Sequence, residues 1–436
     1  MKKKLCSFVA VVMTCALALG GCASATPAES KSSAGSAASG AAAGAAKSDV
    51  KLTYYSMWNE TEPQGQTITQ AVDAFKAKTG ITVDVNWQGR DIRKTLQPAL
   101  DGGEEIDLFD EDLDRVNGTW GKYLLNLEDY AKKSYDTTSS KPFTDVVSSK
   151  LIDLARSLGP DGKLSTIPYQ PSSFLVMYNK DIFSKAGITS VPKTWDEWLA
   201  DCAKIKAAGK TPITEDDAYI ASLFGYHMAR LIGKDKTVAM VTNKKIDDPA
   251  VLTFAQQWKD MYDKGYISKN ASGNIYPAGQ QEIANGSVAM YLNGTWLPNE
   301  IKGSAPADFN WGTFAYPAIG KDGDGTDSNQ FGAQCFGINK DTKHPAEAFQ
   351  FIVWMTTGEW DTKLAENSIG VPMANDATWP KQLTEAKAAF DATKTRYPWA
   401  VGMENDSDIN AKIKTNFALL VSGKLDAKGF ADAMKK

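Results

Sequence analysis

Two groups of side chains in this 436-residue chain carry chemistry at short spacing. Trp58, Asn59 and Glu60 follow an apolar stretch at 52–57, and Asp110, Glu111, Asp112, Asp114 and Arg115 follow another at 106–109. Together they offer a flat indole, an amide, several carboxylates and a guanidinium. An indole covers the C–H face of a ring, carboxylates accept hydroxyl protons, and Asn and Arg donate to hydroxyl oxygens. Bonds between a charged group and a neutral hydroxyl are the stronger kind, about 1.5–3 kcal/mol each. The mixture suits a polyhydroxylated ligand. It also suits hydrolysis of a glycosidic bond by paired carboxylates, and either Asp110 or Asp112 suits a helix N-cap. Metal or triad chemistry has little to work with, because His227 and His344 are the only histidines. Neither a Gly-x-x-x-x-Gly-Lys phosphate cradle nor a Gly-x-Ser-x-Gly elbow occurs. The run from Asp322 to Asp327 has the look of a calcium loop, but Asp327 stands at the glycine position and Ala333 at the final glutamate's, so it reads as a surface turn.

The elements around these residues must place them. Residues 52–57 read as a strand, Ile68, Ala71, Val72 and Phe75 recur at helical spacing, and Gly80 stops that helix. Ile81, Val83, Val85 and Trp87 alternate as a second strand, and a helix at 92–100 leads to a short strand at 106–109. This alternation predicts a mostly parallel sheet with helices on both faces. In such sheets ligands bind beyond the carboxyl ends of strands, where both chemical groups lie. Residues 167–169 and 175–180 frame a crossing segment, and 331–339, after a Gly/Asp-rich loop at 321–329, read as a second. Thr194 with Glu197 forms a capping box, a structural feature. Trp195, Trp198, Trp258 and Trp354 sit on amphipathic helical patterns and are expected in the core.

The ends set the compartment. Lys2, Lys3 and Lys4 precede an apolar stretch at 5–19, too short for a membrane span, which then ends in Leu19-Gly20-Gly21-Cys22. This resembles a lipoprotein signal, in which Cys22 is acylated and becomes the mature N-terminus. The Ala/Ser/Gly stretch that follows has nothing to bury and is expected as a flexible tether with a reach of about 30 Å. Without the leader the formal charge moves from −4 to −7, which argues against a nucleic-acid partner. Cys202 and Cys335 then remain, far apart and without metal-type spacing, and no disulfide is expected between them.

From Tyr178-Asn179-Lys180-Asp181 through Pro192-Lys193-Thr194-Trp195-Asp196-Glu197, the chain resembles the extracellular solute-binding protein family of carbohydrate importers, to which maltose-binding protein is distantly related. The likeness continues through 290–296 (Met-Tyr-Leu-Asn-Gly-Thr-Trp), 335–339 (Cys-Phe-Gly-Ile-Asn) and Gly370-Val371-Pro372. The resemblance implies a two-lobed periplasmic-binding-protein-like α/β fold of type II with three interlobe crossings, closing on sugar by a hinge. It divides the chain into a leader at 1–21, a tether at 22–49, lobe 1 at 50–168 and 337–372, and lobe 2 at 169–336 and 373–436. It implies that Asp114 and Arg115 hold sugar hydroxyls, that Trp296 stacks on a pyranose, and that Asp216, Asp217 and Tyr219 supply an acid and an aromatic from lobe 2. Asn410 stands where the family has a stacking Trp, and Trp399 is the candidate substitute. Trp58, Asn59, Glu60, Asp110 and Gln170, the last on the first crossing, complete the expected ligand set. The expected partners are an oligosaccharide, the permease of an ABC importer with its cytoplasmic ATPase, and the membrane through Cys22, with the protein monomeric, extracytoplasmic, cofactor-free and not an enzyme. A secreted glycoside hydrolase, or the same fold carrying another solute such as a polyamine, remain the alternatives.

Overall fold

The computed structural model describes residues 49–435, which lie within one compact unit. The leader, Cys22 and the tether up to residue 48 lie outside the described residues. The first strand, β1 (Lys51–Ser56), buries Leu52, Tyr54 and Ser56 in alternation. The helix Pro63–Thr79 starts with proline in its first turn and ends at Gly80, which adopts φ 83° and returns its N–H to the Lys76 carbonyl. β2 (Thr82–Trp87) then pairs in parallel with β1.

The third strand departs from expectation. β3 (Leu108–Asp112) runs past the apolar residues and takes Asp110, Glu111 and Asp112 into the sheet. The cause is long-range: β8 (Ser328–Ile338) pairs antiparallel with β3 along its whole length, Leu108 opposite Ile338 through Asp112 opposite Gln334. The remaining strands are β4 (Thr166–Asn179), β5 (Thr211–Thr214), β6 (Val288–Gly294), β7 (Trp311–Phe314) and β9 (Thr395–Tyr397). Their order is β2-β1-β3-β8-β4-β6-β5, with β7 on β4 and β9 on β8. The sheet is therefore mixed rather than mostly parallel, because the long strands β4 and β8 pair antiparallel with each other and with β6, β7 and β3.

Two apolar cores define two lobes. Leu52, Tyr54, Phe75, Phe109, Trp120 and Tyr169 share the first with Phe336, Phe349 and Phe351. Phe174, Trp195, Trp198, Phe224, Trp258 and Tyr316 share the second with Ile413 and Phe417. Trp354 packs on the first core while still partly exposed. The chain passes from the first core to the second along β4 and returns along β8, where Phe331 and Ala333 already belong to the first. It passes between the cores again near 371–373, where Val371 belongs to the second and Met373 to the first, and the Asp361 carboxylate holds the Met373 and Ala374 N–H groups at 2.9 and 2.8 Å. The helix Thr384–Ala392 touches both cores, through Ala386 to the second and Phe390 to the first. Cys202 and Cys335 are free thiols buried in different cores. The capping box is formed, with Thr194 Oγ1 accepting the Glu197 N–H and Glu197 Oε2 accepting the Thr194 N–H. Among the described residues no helix is long and apolar enough to cross a membrane.

Candidate functional site

β2 and β3 each pair in parallel with β1, so the carboxyl ends of all three lie at one side of the sheet, where the strand-end rule looks for ligands. β1 delivers Trp58, but its indole is not an open platform. Its Nε1 donates to the Tyr169 hydroxyl at 2.7 Å, and the Arg90 guanidinium carbon lies 4.7 Å from the ring centre. Arg90 is fixed in turn by both oxygens of Glu62, at 2.9 and 3.1 Å, and by the Met57 carbonyl at 2.6 Å. A cation over an indole face is favourable where water is scarce, and only 7% of Trp58 is exposed. Asn59 and Glu60 are exposed beside it, with the Asn59 backbone N–H held by Glu62 at 2.7 Å.

Asp110, expected at the ligand, serves in this structure as an internal brace. It is fully buried, accepting the Met57 N–H at 2.8 Å on one oxygen and the Tyr169 hydroxyl on the other. Burial pushes its pKa up to about 6 despite those donors. The extension of β3 explains this, since a residue inside a ladder between two strands cannot reach solvent as one beyond the strand end does. Asp112 is the helix cap, accepting the Asp114 and Arg115 N–H groups at 3.0 and 3.2 Å. Asp114 and Arg115 do not act as a pair. Arg115 reaches back to buried Glu111 at 3.1 Å, which Arg93 also holds at 2.6 Å. Asp114 instead pairs with Arg396 of β9, so this ion pair spans the lobes.

From the second lobe, Tyr219, Trp296 and Trp399 gather around Phe174. Their ring centres lie 5.8, 6.0 and 5.9 Å from that of Phe174, and the two indoles lie 6.1 Å apart. Gly294 makes this possible, because a Cβ there would stand 2.1 Å from Trp296 Cζ3. Trp296 Nε1 points at the Tyr219 hydroxyl at 3.4 Å and Trp399 Nε1 donates to Glu404 at 2.7 Å. Both indoles remain half-buried with their N–H groups engaged, so their ring surface is what they offer. Asp216, also expected at the ligand, is an internal anchor in this structure. It is fully buried, accepting the Gly279 and Gln280 N–H groups at 2.6 and 3.3 Å and the Tyr291 hydroxyl at 2.6 Å, and it anchors the start of the helix Ala278–Ala284. Asp217 is exposed and holds the Tyr276 N–H at 2.9 Å. Gln170 lies at a bulge in β4 with φ 46°, its Nε2 on Ser368 Oγ.

Sequence reasoning missed Arg90, Tyr169, Tyr276, Glu300 and Arg396. Glu300 accepts the Tyr276 hydroxyl at 3.0 Å and Gln280 Nε2 at 2.6 Å. Water reaches Glu300, yet it is crowded on most sides and that crowding raises its carboxyl pKa, opposed by the charge of Arg90 from the other lobe. Arg90 follows the end of β2, so the rule that found Trp58 also reaches Arg90. Arg396 carried no signal of its own, since its partner Asp114 lies 282 residues away. No group of His, Cys, Asp and Glu among the described residues is arranged to hold a metal ion.

Two α/β lobes joined by long crossing strands are the architecture of a periplasmic-type binding protein. Residues 58–362 match the sequence profile described as bacterial extracellular solute-binding protein. The chain belongs to that family. Curated relatives include a binding protein of Brucella abortus, 28% identical over 289 residues, and a multiple sugar-binding protein of Streptococcus mutans, 31% identical over 288. The matches cover 63% and 62% of this chain and just under two thirds of the relatives, 66% and 65%. Among solved structures, a chitin oligosaccharide binding protein superposes with a TM-score of 0.69 at 22% identity, covering 89% of this chain and 98% of that one.

Proposed function

We propose that the protein is the extracytoplasmic solute-binding subunit of an ABC importer, a non-enzymatic carrier that closes on a neutral oligosaccharide and presents it to the membrane permease. The aromatic cluster of Trp296, Trp399 and Tyr219 carries this reading, because half-buried indole faces with their polar atoms already engaged select for the flat C–H surface of a pyranose. The exposed Asn59, Glu60 and Asp217 and the Asp114–Arg396 pair supply hydroxyl partners around it. The names of the Streptococcus mutans relative and of the chitin oligosaccharide binding protein point to the same ligand class. Hydrolysis is disfavoured, since Asp110 and Asp216 are spent inside the lobes and Glu111 is held by two arginines.

The anchor belongs to the same reading: acylated Cys22 tethers a monomer to the outer face of the cytoplasmic membrane. A glycan array probed with the purified protein tests the function, followed by melting with each retained glycan. A ligand bound only by the native state raises the melting temperature by mass action. Retention of no glycan, or cleavage of those retained, refutes the carrier reading. Cys22→Ala tests the anchor and should move the protein from the membrane fraction to the medium.

A further inference from the structure

Two opposite charges stand close together on one short element of the second lobe, and each faces its complement in the first. The element is the helix Leu297–Glu300, which follows Trp296 directly. Leu297 and Ile301 are fully buried and root it in the second core, so Trp296 at its start and Glu300 and Lys302 at its end move as one body. Lys302 is exposed, and its Nζ donates to the Asn367 carbonyl at 3.4 Å. Asn367 lies in the last turn of the helix Gly358–Ser368, which packs on the first core through Trp360 and Leu364. A carbonyl there has no partner within its own helix and sits at the negative end of the helix dipole, which favours a cation.

Glu300 is aimed by the Tyr276 hydroxyl and by Gln280 Nε2, at 3.0 and 2.6 Å. Desolvation raises the pKa of the Glu300 carboxyl and of the Tyr276 phenol, and at both the Arg90 charge works the other way, so the two lobes lie within electrostatic reach here. Arg90 is anchored to the first lobe by Glu62 and by the Met57 carbonyl, bonds that do not use up the donors of a guanidinium. Nothing in the carrier reading uses Arg90, Glu300 or Lys302.

We infer that Arg90, Glu300 and Lys302 form a latch that holds the lobes closed on the ligand, Glu300 drawing on Arg90 and Lys302 on the carboxyl end of the helix Gly358–Ser368. The inference rests on the carrier reading and deepens it. Trp296 meets the sugar and its own helix carries the charges that fasten the lobes, so capture and fastening are one movement. The three are positioning residues, because they act on the ligand through the lobes. Contacts made between closed lobes slow release rather than speed capture. They also weaken as salt screens them, whereas a neutral sugar has no charge to screen.

The test follows release of a trisaccharide by stopped-flow tryptophan fluorescence in the mature parent, Glu300→Gln, Lys302→Met and the double variant, with maltotriose, raffinose, xylotriose and chitotriose as probes. Release should be about two- to fivefold faster in each single variant and about tenfold faster in the double, the scale of an exposed ion pair and of a cation at a helix end. The rate of capture should stay the same. Raising salt from about 0.01 M to about 1 M shortens the screening length from about 30 Å to about 3 Å. Release from the parent should quicken several-fold across that range, and release from the double variant should hold constant. Ligand-free melting temperatures should match the parent's, because both side chains are exposed. Parent release that ignores salt, or variants that release as the parent does, overturns the latch and leaves the carrier reading standing. Variants that melt lower without ligand assign these residues to the fold and overturn the latch as well. A parent that binds none of the four overturns both.

Discussion

Tyr169→Phe isolates the buried chain that braces the first wall of the cleft. The Tyr169 hydroxyl donates to Asp110 and accepts from Trp58 Nε1 at 2.7 Å, and all three residues are buried. Deleting one oxygen leaves the indole N–H without a partner and strips the carboxylate of one of its donors. An unsatisfied buried donor costs about 1–3 kcal/mol and a hydrogen bond to a charged group contributes about 1.5–3 kcal/mol. The two overlap because they share an atom, so a loss of about 3 kcal/mol of stability is expected. Urea unfolding followed by tryptophan fluorescence measures it, with Tyr55→Phe as control. Tyr55 bonds exposed Glu104 at 2.8 Å, and its loss should cost about 0.5 kcal/mol or less.

The deficit must also depend on pH. The Tyr169 bond opposes the burial that raises the Asp110 pKa to about 6, so the variant's native carboxyl titrates higher still. The variant's native state then binds more protons around neutrality, and its deficit grows as pH rises from 5 to 8. A Tyr169→Phe protein within 0.5 kcal/mol of the parent at pH 8 would refute the bracing role.

Trp195→Ala should cost about 3–5 kcal/mol through a core cavity, since the ring lies 5.8 Å from Trp198 and 4.9 Å from His227, with affinity of the folded protein unchanged. His227 is buried, its Nδ1 facing the Trp258 indole N–H and the Tyr316 hydroxyl and its Nε2 facing Gln257 Oε1, which holds the neutral ring as the Nε2–H tautomer. Burial depresses its pKa from 6.5 to about 3, so its contribution is intact above the unfolded value and is lost as pH falls below it. Between pH 7 and pH 5 the parent should lose about 2 kcal/mol more stability than His227→Gln, read from urea midpoints at both pH values, and equal losses would contradict the neutral buried ring.

The alternation of strands and helices at the start of the body was legible because each element there is formed by neighbours in sequence: the helix ending at Gly80 and the strand beside it follow the reading. The end of β3 was not, because its last residues are acids that local pattern assigns to a loop. Only β8, more than two hundred residues on, makes them strand. The same distance hides which lobe each acid serves. Asp110 and Asp216 have the composition of ligand contacts and the surroundings of internal caps, while Asp114 acquires its partner from β9. Trp296 and Trp399 could be singled out from family landmarks and a Tyr-Pro-Trp run, but their closeness to Phe174 depends on the crossing strand that carries it.

Titration calorimetry of the parent and of Trp296→Ala, with the glycan best retained on the array, tests the central claim most directly. Trp296 offers a half-buried ring face beside Trp399, and truncating such an aromatic anchor costs about 2–4 kcal/mol of binding, roughly a 30- to 1,000-fold weaker Kd. The ligand-free melting temperature should change little, because the ring is partly solvated before any sugar arrives. A Trp296→Ala protein that binds the glycan as the parent does would contradict the account.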